Sequence, residues 1–414
     1  MRVTCFLRLL VLVASVSPIP LPVFGQTAAA FLESGDRKLA AKNYDGAIAD
    51  LTRGIELDPK LAAAYTSRGN ARYDKGDLDG AIADFTQVIE LDPKDTNAYY
   101  NRGVAKRAKG DLDGAISDST RGIELDPKFA QAYYNRGNAR YDKGDLDGAI
   151  ADSTRAIELD PKSAPAYINR GVAKRAKGDL DGTIADSTRA IELAPKSAPA
   201  HTNRGIARYR KGDLDGAILD YTRAIELAPK SAPAYINRGN ARRVKGDLEG
   251  AIADYTRGIE LNPGRAQTLK ARGSIHFYLG EFAAAQDDLR TALRSDPTDS
   301  YAAIWLYLAQ ARDDTLARGE LAKNTTSLNL AVWPGAVITF YLSRSTDSAL
   351  LSSANNSDTK KDREQHCEVY FYLGEYAMIR GYRNEAMHLF QQAIETAVTN
   401  FVEYTGAQVE LKRF

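Results

Sequence analysis

Eight prolines recur at a spacing of 34 residues: Pro59, Pro93, Pro127, Pro161, Pro195, Pro229, Pro263 and Pro297. A period of that length means one helix–turn–helix unit repeated and stacked into a solenoid, since a single unit cannot bury its apolar face alone. With the proline at place 32, the units run 28–61, 62–95, 96–129, 130–163, 164–197, 198–231, 232–265 and 266–299. Place 8 is always glycine, from Gly35 to Gly273, and place 20 is small, from Ala47 to Ala285, with Thr183 the largest. Together they let two helices approach closely. Gly76 and its equivalents at place 15 suit the left-handed turn that ends a first helix. The aspartate after it, Asp77 for example, suits the cap of the second. Pro165, Pro199 and Pro233 fall in the first turn of a helix, where a missing N–H is harmless.

Arginine at place 7 travels with aspartate at place 23: Arg68/Asp84, Arg102/Asp118, Arg136/Asp152, Arg170/Asp186, Arg204/Asp220, Arg238/Asp254 and Arg272/Asp288. The first unit breaks the rule with Ser34 and Asp50. The pattern predicts an ion pair between the two helices of each unit; the alternative is that both residues are solvated separately. An exposed pair contributes little to stability.

These places resemble the tetratricopeptide repeat (TPR) family over residues 28–299, whose motif runs W-x2-L-G-x2-Y, A-x3-F, P. The resemblance implies an all-α, right-handed superhelical solenoid, here with a helical C-terminal cap. It also implies a concave face lined by places 2, 5, 6, 9, 12 and 13 of the first helices. Place 12 alternates as Tyr73, Arg107, Tyr141, Arg175, Tyr209 and Arg243. Place 6 is Asn101, Asn135, Asn169, Asn203 and Asn237. Place 9 supplies Asn70 and Asn138, with Asn240, alternating with Val104, Val172 and Ile206. Asparagine offers donors and acceptors matched to a peptide backbone, and Tyr and Arg are favoured at binding hot spots. The groove between about Tyr65 and Arg243 is therefore expected to bind a peptide segment or partner helix. The asparagines have a second reading, as ties between neighbouring repeats. Place 5 holds Thr66, Tyr100, Tyr134 and Ile168 rather than the lysine of a C-terminal carboxylate clamp.

Outside the array, Arg2 and Arg8, the apolar run Leu9–Val16 and the Val23-Phe24-Gly25 site read as a secretory signal over 1–25. The alternative is an uncleaved anchor. The expected mature chain is exported, periplasmic or secreted, with no integral membrane segment. Cys5 precedes the apolar run, is misplaced for lipid attachment and would leave with the signal, so Cys367 would stand alone in the mature chain. A net charge of +1 gives no reason to expect nucleic acid. Residues 300–414 read as a helical module. It has a helix over 301–312, a helix started by Pro334, a mobile polar loop over 352–362, a further TPR-like pair near 367–400, and a last helix near 401–412 covering the end of the stack.

The order Trp333-Pro334, Phe340-Tyr341-Leu342, Arg363-Glu364-Gln365, Tyr370-Phe371-Tyr372-Leu373-Gly374, Phe401-Val402-Glu403-Tyr404 and Glu410-Leu411 resembles the C-terminal part of NlpI-like TPR proteins of the bacterial envelope. That resemblance implies an exported adaptor that gathers envelope hydrolases and proteases. The repeat array here is longer than theirs.

No enzyme is expected. His201, His276, His366 and His388 show no metal-ligand spacing, and His366 beside Cys367 points away from it on a helix. The GDLDG segments read as helix caps rather than calcium loops. No cofactor is implied. The function expected is a protein-interaction scaffold, with the C-terminal module as a second contact or a homodimer surface. The rival is a peptidoglycan- or carbohydrate-binding module, since Tyr and Asn also suit sugars.

Overall fold

The structure, a computed structural model, describes residues 27–313, 317–399 and 401–414. The expected signal segment lies outside the described residues. All regular elements among them are helical. They fall into two compact units, one ending at Pro161 and one spanning Lys162–Phe414.

The first unit holds α1 (Ala28–Ala40), α2 (Tyr44–Leu57), α3 (Ala62–Lys75), α4 (Leu78–Leu91), α5 (Thr96–Lys109), α6 (Leu112–Leu125), α7 (Ala130–Lys143) and α8 (Leu146–Leu159). The second continues the pattern with α9 (Ala164–Ala176), α10 (Leu180–Leu193), α11 (Ala198–Arg210), α12 (Leu214–Leu227), α13 (Ala232–Lys245), α14 (Leu248–Leu261), α15 (Ala266–Leu279) and α16 (Phe282–Ser295). First helices begin where the 34-residue units begin. Gly76, at φ 91°, ends α3, with the Asp77 N–H bonded back to the Arg72 carbonyl at 2.8 Å. The Asp77 carboxylate then accepts from Gly80 N–H at 2.9 Å and caps α4. Asp111, Asp145, Asp179, Asp213 and Asp247 do the same. The first carboxylate of each GDLDG segment is thus engaged as a cap, and the second pairs with a lysine, as Asp79 does with Lys109 at 2.5 Å.

Every expected Arg–Asp pair forms, at 2.6–2.8 Å. In the first repeat the Ser34 hydroxyl donates to Asp50 instead, at 2.6 Å. The surroundings differ from those of a surface pair, because the seven aspartates are buried. Their second oxygen takes a further cation from place 11. Arg140 meets Asp152 and Arg208 meets Asp220 at 2.8 Å, and Lys106 meets Asp118 at 2.9 Å. Within each unit the place-7 arginine also reaches the threonine at place 25 of the preceding repeat, as Arg136 Nη1 to Thr120 Oγ1 at 3.2 Å. One guanidinium therefore joins the two helices of its own repeat and the second helix of the one before. The place-4 tyrosine lies under it, as Tyr133 does under Arg136 at 5.6 Å.

The apolar interior is divided repeat by repeat into small clusters along the array. A single larger core then forms from Ile236 to Ala407. It contains α17 (Ser300–Arg312), α18 (Ala317–Asn324), α19 (Gly335–Tyr341), α20 (Asp347–Ser353), α21 (Thr359–Ile379), α22 (Arg383–Glu395) and α23 (Val402–Leu411). Trp305 on α17 is its centre, with the rings of Phe277, Tyr278 and Phe371 each 5.5 Å away. Gly374 faces the Phe390 ring and repeats the glycine–aromatic contact of the array.

Two expectations change here. Residues 352–362 form no long loop. α20 runs to Ser353, and Asp358 caps α21 by accepting from the N–H groups of Lys360 and Lys361. The polar run is divided among the end of α20, a short connection over 354–358 and the first turn of α21. The last helix also does more than cover an end. From α21 and α22 it reaches back to α15, where the Tyr278 hydroxyl donates to the Val402 carbonyl at 2.5 Å, and to α13 through Arg243.

Candidate functional site: the concave face of the first helices

The thirteen expected groove residues divide by burial. In the first unit Asn70 is exposed, and Tyr73, Asn101, Arg107, Asn138 and Tyr141 are half-buried. Tyr73 packs against the cluster of Ala81, Phe85 and Ala105. Arg107 is paired with Asp142 of the next repeat at 2.6 Å. Tyr100 meets Phe129 edge to face, with ring centroids 5.9 Å apart, and burial raises its hydroxyl pKa above the usual value.

Asn135 corrects the expectation for its own position. It is 3 % exposed and donates to Ser119 Oγ at 2.9 Å. Asn203 likewise donates to Ser187 Oγ at 3.0 Å. The cause lies one repeat back. A Cβ built on Gly69 would stand 2.7 Å from the Phe85 ring, so a large residue at place 24 fills the space over the glycine. At Ser119 and Ser187 that space is vacated, and the next repeat's asparagine enters it. A Cβ on Gly103 would lie 2.9 Å from Asn135 Nδ2, and one on Gly171 3.0 Å from Asn203 Nδ2. Asn101 follows Phe85 and Asn237 follows Tyr221, and both stay half-buried. The tie reading of the row therefore holds for Asn135 and Asn203, whereas Asn169, also preceded by a serine at place 24, stays half-buried. Asn135→Ala leaves a buried hydroxyl and a void, and should cost about 1–2 kcal/mol. Thermal denaturation checks this; no loss of stability would contradict the tie.

In the second unit the concave places of α9 and α11 form a cavity of about 390 Å³. Ile168, Val172, Thr202 and Ile206 line it, with Arg175 and Asn203 among its walls. Arg175 Nε donates to Asn203 Oδ1 at 3.0 Å, so one polar bridge sits on a mostly apolar surface. Asn169, Arg175, Tyr209 and Asn237 are half-buried, and Tyr209 packs with Ala217, Tyr221 and Ala241. Arg243 departs from expectation: it is 6 % exposed, and its guanidinium donates to Thr405 Oγ1 on α23 at 3.3 Å. The closing helix covers it.

Further along, the same places of α15 (Gln267, Lys270, Ala271 and Ser274) meet Tyr301 and Trp305 of α17, Glu368 of α21 and Phe401 to Glu403 around a second cavity, of about 370 Å³. Sequence reasoning missed it, because α15, α21 and α23 are brought together only by the fold. The available signal was acid inside apolar runs, at Cys367-Glu368-Val369 and Val402-Glu403-Tyr404. Cys367 itself is buried, which pushes its thiol up to about 12 and leaves it unsuited to nucleophilic work.

Repeats of this geometry define a class of stacked helical-hairpin proteins, and comparison with known sequences agrees. A family model described as TPR repeat matches residues 69–106, 105–141 and 137–178. One described as Tetratricopeptide repeat matches 168–232, 202–266 and 270–322. Between them they take in more than half of the sequence, and the chain belongs to the tetratricopeptide repeat family.

Among solved structures, a chain of the APC/C hetero-tetramer Cut9–Hcn1 is similar with a TM-score of 0.51 and 18 % identity. That match covers 69 % of this chain and spans 57 % of the other, and it shows the shared fold. A tetratricopeptide repeat protein from Parabacteroides merdae matches at a TM-score of 0.46 and 20 % identity, over 60 % of this chain and 98 % of that one. YrrB, described as a TPR protein with an unusual peptide-binding site, matches at 0.39 and 24 %, over 45 % and 97 %. Proteins of this family serve as protein-interaction scaffolds, bind protein or peptide partners, and are generally not enzymes. Among the described residues, no helix is long and apolar enough to cross a membrane.

Proposed function

We propose that the protein is an exported adaptor of the bacterial cell envelope that holds an extended segment or helix of a partner on its concave face. The observation that carries the binding reading is the apolar cavity between α9 and α11. It has isoleucine and valine walls and one Arg175–Asn203 bridge able to orient a polar backbone. Export rests on the basic and apolar pattern of the first 25 residues. An envelope role, with hydrolases or proteases as partners, rests on the order of motifs after Trp333.

The test is selection of displayed peptides on residues 26–414, beside an Ile168→Asp/Ile206→Asp variant. Peptides that bind the parent with micromolar affinity and lose at least tenfold on the variant support the groove. Equal binding moves the site elsewhere. Retention on purified peptidoglycan with no peptide selected would favour a wall-binding module instead. Export is checked separately by fusing residues 1–26 to a reporter active only outside the cytoplasm; an inactive fusion would overturn it.

A further inference from the structure

The cavity of about 370 Å³ carries an imbalance of charge. Glu368 and Glu403 on its wall are 3 % and 4 % exposed. The Glu368 carboxylate accepts from the Tyr301 hydroxyl, at 3.0 Å to Oε2, and from Trp333 Nε1 at 2.8 Å. Glu403 accepts from the Tyr372 hydroxyl at Oε1, 2.7 Å, and from its own backbone N–H. The cations acting on Glu403 are Arg243 and Lys270, the latter already paired with Asp299 at 2.6 Å. Two acidic side chains thus share a wall whose one lysine, Lys270, is already engaged. Glu364, the remaining acid acting on Glu368, has its own partner in Lys360 at 3.8 Å. The other titratable neighbours, Tyr278, Tyr301, Tyr372 and Cys367, are all held neutral by burial.

The rest of the wall is aromatic and apolar, with Tyr301, Trp305 and Phe401. A hard metal ion asks for six or more oxygen ligands, which this wall does not offer. An organic cation gains from both features, because carboxylates take its charge and aromatic faces take its stem.

We propose that this cavity receives one cationic side chain, a lysine or arginine of a partner polypeptide. Its charge meets the Glu368–Glu403 pair and its alkyl stem lies against Tyr301, Trp305 and Phe401. The site lies on α15, α17, α21 and α23 and stands independently of the α9–α11 cavity. Burial raises both glutamates above the usual carboxylate range, and Glu403 raises Glu368 further. A bound cation favours the ionised pair, so binding releases protons and affinity rises with pH above the usual carboxylate range.

The experiment is calorimetric titration of residues 26–414 with N-acetyl-lysine methylamide, its arginine counterpart, the neutral norleucine counterpart, and n-butylamine. Saturable binding of a cationic probe, none of norleucine, and a loss of at least tenfold in Glu403→Gln are expected. Glutamine keeps the Tyr372 hydrogen bond, and an unchanged melting temperature verifies its fold. Glu364→Gln, outside the cavity, should bind as the parent does. Binding of norleucine equal to lysine, no binding of either cation, or unchanged affinity in Glu403→Gln would overturn the proposal. Affinity for n-butylamine equal to that for the lysine probe would reassign the site to a free amine and overturn the polypeptide source. Ile168→Asp leaves this titration untouched, so the two sites fail separately.

Discussion

Arg312→Ala is expected to destabilise the second unit by about 3–5 kcal/mol, the range for removing one partner of a buried ion pair. Arg312 Nη1 lies 2.9 Å from Glu375 and Nη2 3.5 Å from Glu410, and both glutamates are fully buried. Arg413 pairs with Glu410 and also donates to the Tyr278 carbonyl. The arginine therefore joins α17, α21 and α23. Without it two carboxylates remain with one cation, and α23 loses its anchor. For a unit of this size the melting temperature should fall by about 10 °C or more. Hydrogen exchange should speed first at Val402–Leu411.

The pH dependence has a definite sign. Burial raises Glu375 above its ordinary value, with Arg312 and Arg413 opposing it. A carboxyl group whose folded pKa is raised binds its proton better in the folded state. Stability from this group is therefore largest below the unfolded value and is lost as pH rises through the folded one. Removing Arg312 raises it further, so the deficit should be smaller near pH 5 than near pH 8. Adding Glu375→Gln to Arg312→Met should recover most of the loss. A variant as stable as the parent at both pH values would show that the network does not hold the closing helix.

The second large effect is expected from Asp152→Ala in the first unit. Asp152 is 3 % exposed and holds Arg136 and Arg140, each at 2.8 Å. Its removal leaves two guanidinium groups side by side. The cost should be about 2–4 kcal/mol, below the full buried-pair figure because both arginines keep some access to water. Arg140→Met should cost less, about 1 kcal/mol, since Arg136 still satisfies the carboxylate. Exchanging Arg136 and Asp152 should not restore stability, because the new arginine would face Arg140. Recovery should require Arg140→Glu as well. Full rescue by the simple exchange, measured by thermal denaturation, would show that the place-11 cation is idle.

The repeat register, the Gly76-type turns, the Asp77-type caps and the seven Arg–Asp pairs were all legible, because each is set by contacts within about one period. The asparagine row was half legible. Serine at place 24 was the signal but does not suffice: Ser119 and Ser187 precede ties, Ser153 precedes the half-buried Asn169, and only the vacated space over Gly103 and Gly171 explains the ties. Arg243 could not be read, since the helix that buries it lies 162 residues away. The cavity around Glu368 and Glu403 has the same origin.

The sequence by itself determined the stack of helical hairpins, because a 34-residue period repeats every local signal in phase and neighbours need only meet neighbours. Tertiary structure alone decided where the concave face stays open and where it closes. α17, α21 and α23 share a core around Trp305 that has no period, so their partners are set by shape and by the need to pair Glu375 and Glu410 out of water.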